Sequence, residues 1–232
     1  MSSKSHVRRA ALHAALGDPT RLRIADDLLV SDRSPRELAE RLNVSSNLLA
    51  HHLDVLEEAG AVQRRDSAGD ARRRYVRLSV AAARVLGPPA RPVRPDVMFV
   101  CTRNSSRSQL ASAIWSARTG RSARSAGTAP APAVHPGALA AAERAGLSID
   151  GAEPRLLGPI PRGTQVITVC DLVHEELRPR SDWWHWSVPS PSGRAVAFDA
   201  VIVELEERMS RLGLPPREVA SEATHAKEGR RR

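Results

Sequence analysis

Cysteine is scarce: Cys101 and Cys170 are the only two in 232 residues. That excludes a secreted disulfide framework and points to a compartment where a thiol stays reduced. No apolar run approaches the ~18 residues of a membrane span. The opening Met1-Ser-Ser-Lys-Ser-His lacks an apolar core and does not read as a secretion signal. No internal repeat is visible. These absences lead to the expectation of a soluble cytoplasmic protein with no membrane partner. What the chain does have is length for two small domains and an excess of positive charge. Lys and Arg number 35 against 26 Asp and Glu, a formal net charge of +9. Such an excess suits a polyanionic or oxyanionic partner, although a GC-rich coding bias produces the same arginine surplus.

The most informative stretch runs from Val97 to Ala117. Val97-Met98-Phe99-Val100 reads as a buried parallel strand, and Leu110, Ile114 and Ala117 fall on one face of a following helix. Between them stands Cys101-x5-Arg107-Ser108. A strand feeding a helix through a short polar turn leaves backbone N–H groups aimed into the turn. They sit at the positive end of the helix dipole, so the turn can hold an anion. A cysteine in such a place is favoured as the nucleophilic thiolate. Arg107 can grip two oxygens of a tetrahedral oxyanion, and Ser108 can donate a hydrogen bond to the sulfur. The expected catalytic residues are Cys101, Arg107 and Ser108, and the expected anion loop is Thr102, Arg103, Asn104, Ser105, Ser106 and Arg107. Cys-x5-Arg alone is a weak pattern, because a cysteine ending a strand is usually just a small buried residue. The strand before, the helix after, Asn104 inside the loop and Ser108 behind the arginine favour chemistry.

Cys101-Thr-Arg-Asn104-Ser-Ser-Arg107-Ser108-Gln109 resembles the phosphate loop of low-molecular-weight protein tyrosine phosphatases, and its Arg-Ser-Gln ending is more like their arsenate-reductase cousins. Ser125-Ala-Gly-Thr128, Val134-His-Pro136, and Val169-Cys-Asp171 ahead of His185-Trp186 fit the same branch. The resemblance covers Pro95 to Leu214. It implies an α/β domain with a small parallel sheet. The pattern also predicts a second strand over Arg121–Ala126, a helix over Pro136–Ala145, a third strand over Gln165–Val169, a short fourth over Trp183–Trp186 and a closing helix over Ala195–Leu212.

Two departures bear on activity. In the phosphatases an Asp-Pro supplies the general acid; here the run is His185-Trp-Ser-Val-Pro-Ser190-Pro191, with serine at the acid position. Asp182 and Asp199 are the nearby carboxylates, more simply read as a surface turn and a solvated helix face. In thioredoxin-coupled arsenate reductases two further cysteines follow the nucleophile, seven apart. Cys170 matches the first, but the second position is Leu177. A Cys101–Cys170 redox pair remains open, as does a buried structural role for Cys170.

The N-terminal part is a series of short helices. Residues His6 to Leu16 can form one, and Asp18-Pro19 opens the next with a cap and a proline at the first position. Leu22, Ile24, Ala25, Leu28 and Leu29 line it. Ser34-Pro-Arg-Glu37 is a capping box. Ser45 caps a helix from Ser46 to Ala59, stopped by Gly60. Two arginine-rich segments around Asp66-Ser-Ala-Gly-Asp70 read as a β-hairpin. Leu16-Gly-Asp-Pro-Thr-Arg-Leu-Arg-Ile24 and His52-Leu-Asp-Val-Leu-Glu-Glu-Ala-Gly60 resemble the ArsR-type winged-helix repressors. That resemblance implies a homodimer on double-stranded operator DNA. Ser45, Ser46, Asn47 and His51 have the groups to reach base edges, whereas Leu48, Leu49, Leu53 and Leu56 read as core. Arg64, Arg65, Arg72, Arg73 and Arg74, with Arg77 on the same hairpin, suit phosphates. The stretch Arg36-Glu-Leu-Ala-Glu-Arg lacks the cysteine pair with which such repressors often sense metals. His51 and His52 are adjacent and point apart on a helix, so no metal site is expected.

The expected organisation is a winged helix over 1–90, a stiff proline-rich linker over 87–95, the α/β domain over 96–214 and a disordered basic tail over 215–232. The expected function is a transcriptional regulator whose second domain binds arsenate, phosphate or a phosphorylated ligand and modulates operator binding. The alternative is a bifunctional enzyme, an arsenate reductase or tyrosine phosphatase tethered to its own repressor. No cofactor is expected, apart from a low-molecular-weight thiol if the domain is a reductase.

Phosphate contacts release counterions, so DNA affinity contributed by the hairpin falls steeply with salt. Replacing Arg72, Arg73 and Arg74 together by alanine is expected to weaken binding to all sequences and to flatten the salt slope by ~2–3. A titration of operator and random duplexes across salt concentrations checks this; unchanged affinity and slope would remove the hairpin from the phosphates.

Overall fold

Helix starts in the first half follow local capping chemistry. The computed structural model describes residues 3–90, 93–149, 151–177, 179–191 and 195–217. It opens with α1 (Ser3–Leu16), α2 (Pro19–Val30), α3 (Pro35–Leu42) and α4 (Ser46–Glu58). Asp18 accepts the Arg21 N–H at 2.9 Å and Pro19 holds the first position of α2. Ser34 and Glu37 cap each other at the start of α3, and Asn43 ends it in the left-handed region at φ 54°. Ser45 accepts the Leu48 N–H at α4. β1 (Val62–Asp66) and β2 (Arg74–Leu78) pair antiparallel as the wing. A further helix, α5 (Val80–Leu86), is capped by Ser79.

One core belongs to this unit, with Ile24, Leu28, Leu38, Leu49, Leu53, Leu56, Val76 and Leu78 all buried. Leu48, expected in the core, is exposed instead at 46 %, and Leu22 of α2 is exposed at 39 %. The buried stripe of α4 is Leu49, His52, Leu53 and Leu56, and Leu48 falls off it.

The second unit runs β3 (Val97–Cys101), α6 (Arg107–Thr119), β4 (Arg124–Gly127), α7 (Pro136–Arg144), β5 (Gln165–Thr168), α8 (Asp171–Leu177), β6 (Trp184–His185) and α9 (Ala195–Arg211). The sheet is parallel throughout, in the order β4-β3-β5-β6. β4 starts three residues later than expected. Gly120 ends α6 in the left-handed conformation, and 121–123 make the turn. The seven-residue α8 has no counterpart among the sequence expectations. The first strand of the unit, β3, lies between β4 and β5, so chain direction across the sheet reverses at β3/β5. Ligands of open α/β sheets bind outside the carboxyl ends of the strands at such a point. Cys101 ends β3 there, and Cys170 follows β5.

The units meet along a polar, largely buried seam. The wing tip docks on α8: Asp171 accepts the Ala68 N–H at 2.8 Å, and Glu175 accepts the Ser67 and Tyr75 hydroxyls at 2.7 and 3.2 Å. A Cβ on Gly69 would stand 2.6 Å from Glu175 Oε2. Arg77, read as a hairpin phosphate contact, is instead buried in ion pairs with Glu204 and Glu207 of α9. Tyr75, two residues earlier, shares that face and also meets the second unit, while Val76 and Leu78 turn to the winged-helix core, as the strand period requires. Past the prolines, Val93 packs against the core of the second unit. Arg94 donates to the Thr164 carbonyl and pairs with Asp182. Of the expected tail, residues 215–217 are described and held in place: Arg118 donates to the Pro215 carbonyl at 2.6 Å and Arg217 pairs with Glu206. Residues 218–232 lie outside those described.

Behind the wing sits a buried titratable cluster. His174 and His185 stack with ring centroids 4.0 Å apart. Glu37 accepts from His174 Nε2 at 3.1 Å and Asp171 from His185 Nε2 at 3.0 Å. Burial, then the neighbouring His185, holds His174 down at about 4. Between about 4 and 6.5 the unfolded chain therefore binds a proton the folded chain refuses. The contribution is full above 6.5 and is expected to fall by ~3 kcal/mol as pH drops to 4. Denaturant midpoints of wild type and His174→Gln over that window check this; the variant is expected to show the shallower loss.

Candidate functional site

The anion loop is shaped by what its carbonyls do. Thr102, Arg103 and Ser105 turn their carbonyl oxygens outward, where the N–H groups of Ala129, Ala131 and His135 donate to them at 2.9, 2.9 and 2.8 Å. The loop amides are left facing inward. Ser106 opens α6 without a side-chain cap, so the first-turn N–H groups of that helix are free for a ligand. Asn104 takes the left-handed conformation at φ 46°.

Asn104 also organises the nucleophile. Its Nδ2 donates to Ser108 Oγ at 2.8 Å, so the Ser108 proton is left for Cys101 Sγ, 3.0 Å away. Its Oδ1 accepts the Arg155 N–H at 2.8 Å and Gln109 Nε2 at 3.3 Å. The roles of Gln109 and of the 153–157 segment carry no sequence signal beyond the motif itself. Cys101 is 2 % exposed, at the floor of a cleft of about 500 Å³. Arg103, Ser105, Ser106, His135, Ser190 and Phe198 are among its walls. His135 stacks on Phe198 at 4.8 Å, and its Nδ1 accepts the Gly137 N–H.

Arg107 is the unusual member. It is 9 % exposed, and among the described residues its guanidinium makes one hydrogen bond, Nη1 to the Val188 carbonyl at 3.0 Å, and its Nε has no partner. No acidic side chain pairs with it among the described residues, and none lines the cleft. Asp182 pairs with Arg94 and Asp199 with Arg144, both away from the cleft. Ser190 does line it, with a hydroxyl where the phosphatase resemblance leads one to expect an acid. Cys170 is buried and free, with Thr102 Oγ1 3.4 Å from its sulfur. Among the described residues no group of three His, Cys, Asp or Glu side chains could hold a metal.

The sequence model of the low molecular weight phosphotyrosine protein phosphatases matches residues 96–224. The chain belongs to this family. A helix-turn-helix model of the ArsR type matches residues 16–65 ahead of the phosphatase-family unit. The transcriptional repressor SdpR of Bacillus subtilis is 38 % identical over 48 residues, 21 % of this chain and 53 % of its own length. The chain thus spans about half the length of that curated relative. Solved structures similar to the phosphatase-family unit include a YwlE mutant from Bacillus subtilis (24 % identity, 50 % of this chain, 95 % of that one, TM-score 0.44). The thioredoxin-dependent arsenate reductase Cg_ArsC1' of Corynebacterium glutamicum is 28 % identical over 58 % of this chain and 68 % of its own, with a TM-score of 0.43.

On the helix-turn-helix unit, Ser45, Ser46, Asn47 and His51 are exposed together on the first two turns of α4, with Leu48 among them. His52 turns inward, 3.9 Å from Asp18. Arg64 is engaged by Asp54 and Glu57 at 2.7 Å each. Arg72, Arg73 and Arg74 are exposed and touch only Asp70 and Asp66, while Arg65 is half-buried. No helix among the described residues is long and apolar enough to cross a membrane.

Gly127, at the end of β4, supports the phosphatase-family loop from behind. A Cβ there would lie 2.4 Å from the Thr102 carbonyl and 2.9 Å from the Asn104 amide, both backbone atoms. Gly127→Ala is expected to displace the loop and to weaken arsenate or phosphate binding at least ~10²-fold. Anion titration of the folded variant, confirmed by circular dichroism, checks this; unaltered affinity would mean the loop shape does not set binding.

Proposed function

We propose that the chain is a DNA-binding transcriptional regulator whose phosphatase-family unit binds a tetrahedral oxyanion and thereby modulates operator affinity. The ligand is arsenate, phosphate or a phosphorylated molecule. The observation that carries this reading is Arg107, a buried guanidinium with an unpartnered Nε and no acid beside it. A buried cation without a counter-charge is costly, and an oxyanion between Arg107, the inward amides and the α6 N-terminus supplies that charge. Cys101, Ser108 and the loop residues Thr102 to Ser106 surround the same point.

The exposed start of α4 suits the major groove, with Ser45, Ser46, Asn47 and His51 for base edges and Leu48 for a thymine methyl. Arg65, Arg72, Arg73 and Arg74 serve phosphates, and Arg64 serves chiefly to tie the wing to α4. A homodimer presents two such surfaces to a palindromic operator.

A second reading, an arsenate reductase or tyrosine phosphatase with Cys101 as nucleophile, is favoured by the 3.0 Å Ser108–Cys101 contact. Regeneration then falls to Cys170 or to a low-molecular-weight thiol. The acid-free cleft favours binding over fast turnover, since a general acid typically contributes ~10²–10⁴-fold. Operator titrations with and without arsenate are expected to differ for wild type and to coincide for Arg107→Ala. Ser190→Asp is expected to raise aryl-phosphate hydrolysis at least ~10²-fold. Identical operator affinities in every wild-type state would remove the regulatory role, and no gain from the aspartate would mean that the cleft excludes such substrates.

A further inference from the structure

The turn between α2 and α3 does more than join two helices. Arg33 exchanges backbone hydrogen bonds with Val76 of the wing, at 3.2 and 2.7 Å. On its other side the same turn completes the edge of the phosphatase-family sheet. β6 is only two residues long. Its outer edge is satisfied by the helix-turn-helix unit: the Asp32 N–H donates to the His185 carbonyl at 2.7 Å, and the His185 N–H donates to Ser31 Oγ at 2.8 Å. Trp186 Nε1 donates to the Val30 carbonyl at 3.0 Å. The next amide, Ser187 N–H, donates to the Asp32 carboxylate at 2.9 Å. The residue after that is Val188, whose carbonyl receives the one hydrogen bond that the Arg107 guanidinium makes among the described residues.

Asp32 is fully buried and cannot drift. Arg208 of α9 grips both its oxygens at 2.6 Å and is itself bonded to Glu204 at 3.0 Å. Burial pushes the Asp32 carboxyl up, and the Arg208 guanidinium more than offsets this and keeps it ionised. Moving the carboxylate would strand a buried guanidinium, so Asp32 is a fixed point for the 187–188 backbone.

We propose that Asp32 is a positioning residue for the anion site. It lies in the DNA-reading unit, holds the Ser187 amide, sets the Val188 carbonyl and through it aims Arg107. The oxyanion pocket is thus completed by the winged helix, and the turn that completes it is hydrogen-bonded to the wing. This rests on the reading of the Cys101–Arg107 loop as an oxyanion pocket.

The test uses the full chain and two double variants. Asp32→Asn with Arg208→Met and Asp32→Leu with Arg208→Met both remove the ion pair without stranding a charge. Only the asparagine keeps an acceptor for the Ser187 amide. Arsenate affinity is measured by calorimetry, with thermal midpoints in parallel. The expected result is similar midpoints, an affinity within about threefold of wild type for the asparagine variant, and a roughly tenfold loss for the leucine variant. If the leucine is not accommodated, Asp32→Ala with Arg208→Met gives the same comparison. Equal affinities in the two variants, whether both kept or both lost, overturn the positioning role. Wild type and Arg107→Ala run alongside. Arsenate binding by the first and not the second upholds the pocket independently of Asp32. No binding by wild type overturns the pocket and the proposal together.

Discussion

The ion pair between Asp32 and Arg208 holds the two units in one arrangement. Each charge is buried, and a buried pair stabilises only where geometry and additional hydrogen bonds offset desolvation. Here both conditions are met. The contact is bidentate at 2.6 Å, the Ser187 amide takes a further lone pair of Asp32, and Glu204 takes a further proton of Arg208. An apolar seam would let the winged helix slide on α9. A seam of buried directional bonds permits one register, which is the better-attested use of buried charge. The wing tip on α8 and Arg77 between Glu204 and Glu207 extend the same kind of contact.

Arg107 presents the opposite case. Arg208 and Arg118 are buried and each has its acid. Arg107 is buried and, among the described residues, has a carbonyl and no acid. The difference lies in where the chain places acids: α9 carries Glu204, Glu206 and Glu207 along its length, while the described walls of the cleft carry arginine, histidine, hydroxyl and apolar side chains and no acid. One unit therefore combines arginines paired with acids and one arginine without an acid among the described residues. A cleft without carboxylates favours an anion electrostatically and offers no carboxylic acid as a proton donor.

The seam has a functional corollary. A regulator needs its ligand to contact something that differs between its states. In a pair of domains joined by a loose tether, occupancy of one is silent to the other. Here residues 185–188 run from the turn between α2 and α3 to the guanidinium of the anion loop, with no side chain longer than Trp186 between them.

Much of this was legible before any coordinates. Caps at Asp18, Ser34 and Ser45 mark helix starts because they act over three residues. The run Val97–Cys101 reads as a strand because it is uniformly apolar, and Cys101, Asn104, Arg107 and Ser108 lie within one loop and one helical turn, so their proximity is local. Leu48 was misread because a short amphipathic helix offers two plausible apolar stripes, and only packing against α2 and α3 selects the one through Leu49 and Leu53. Arg77 looked like a wing arginine because charge on a strand does not say which face meets another domain. Asp32 and Arg208 are 176 residues apart, and nothing local to either announces a partner. The sequence by itself determined the elements, the two units and the anion loop, since each depends on short-range periodicity, capping or backbone geometry. Only the tertiary structure decided which arginines are bound by acids and which is free, and that the winged helix closes the edge of the second sheet. Those outcomes depend on long-range burial, where the loss of water makes every unpaired charge and amide find a partner or wait for one.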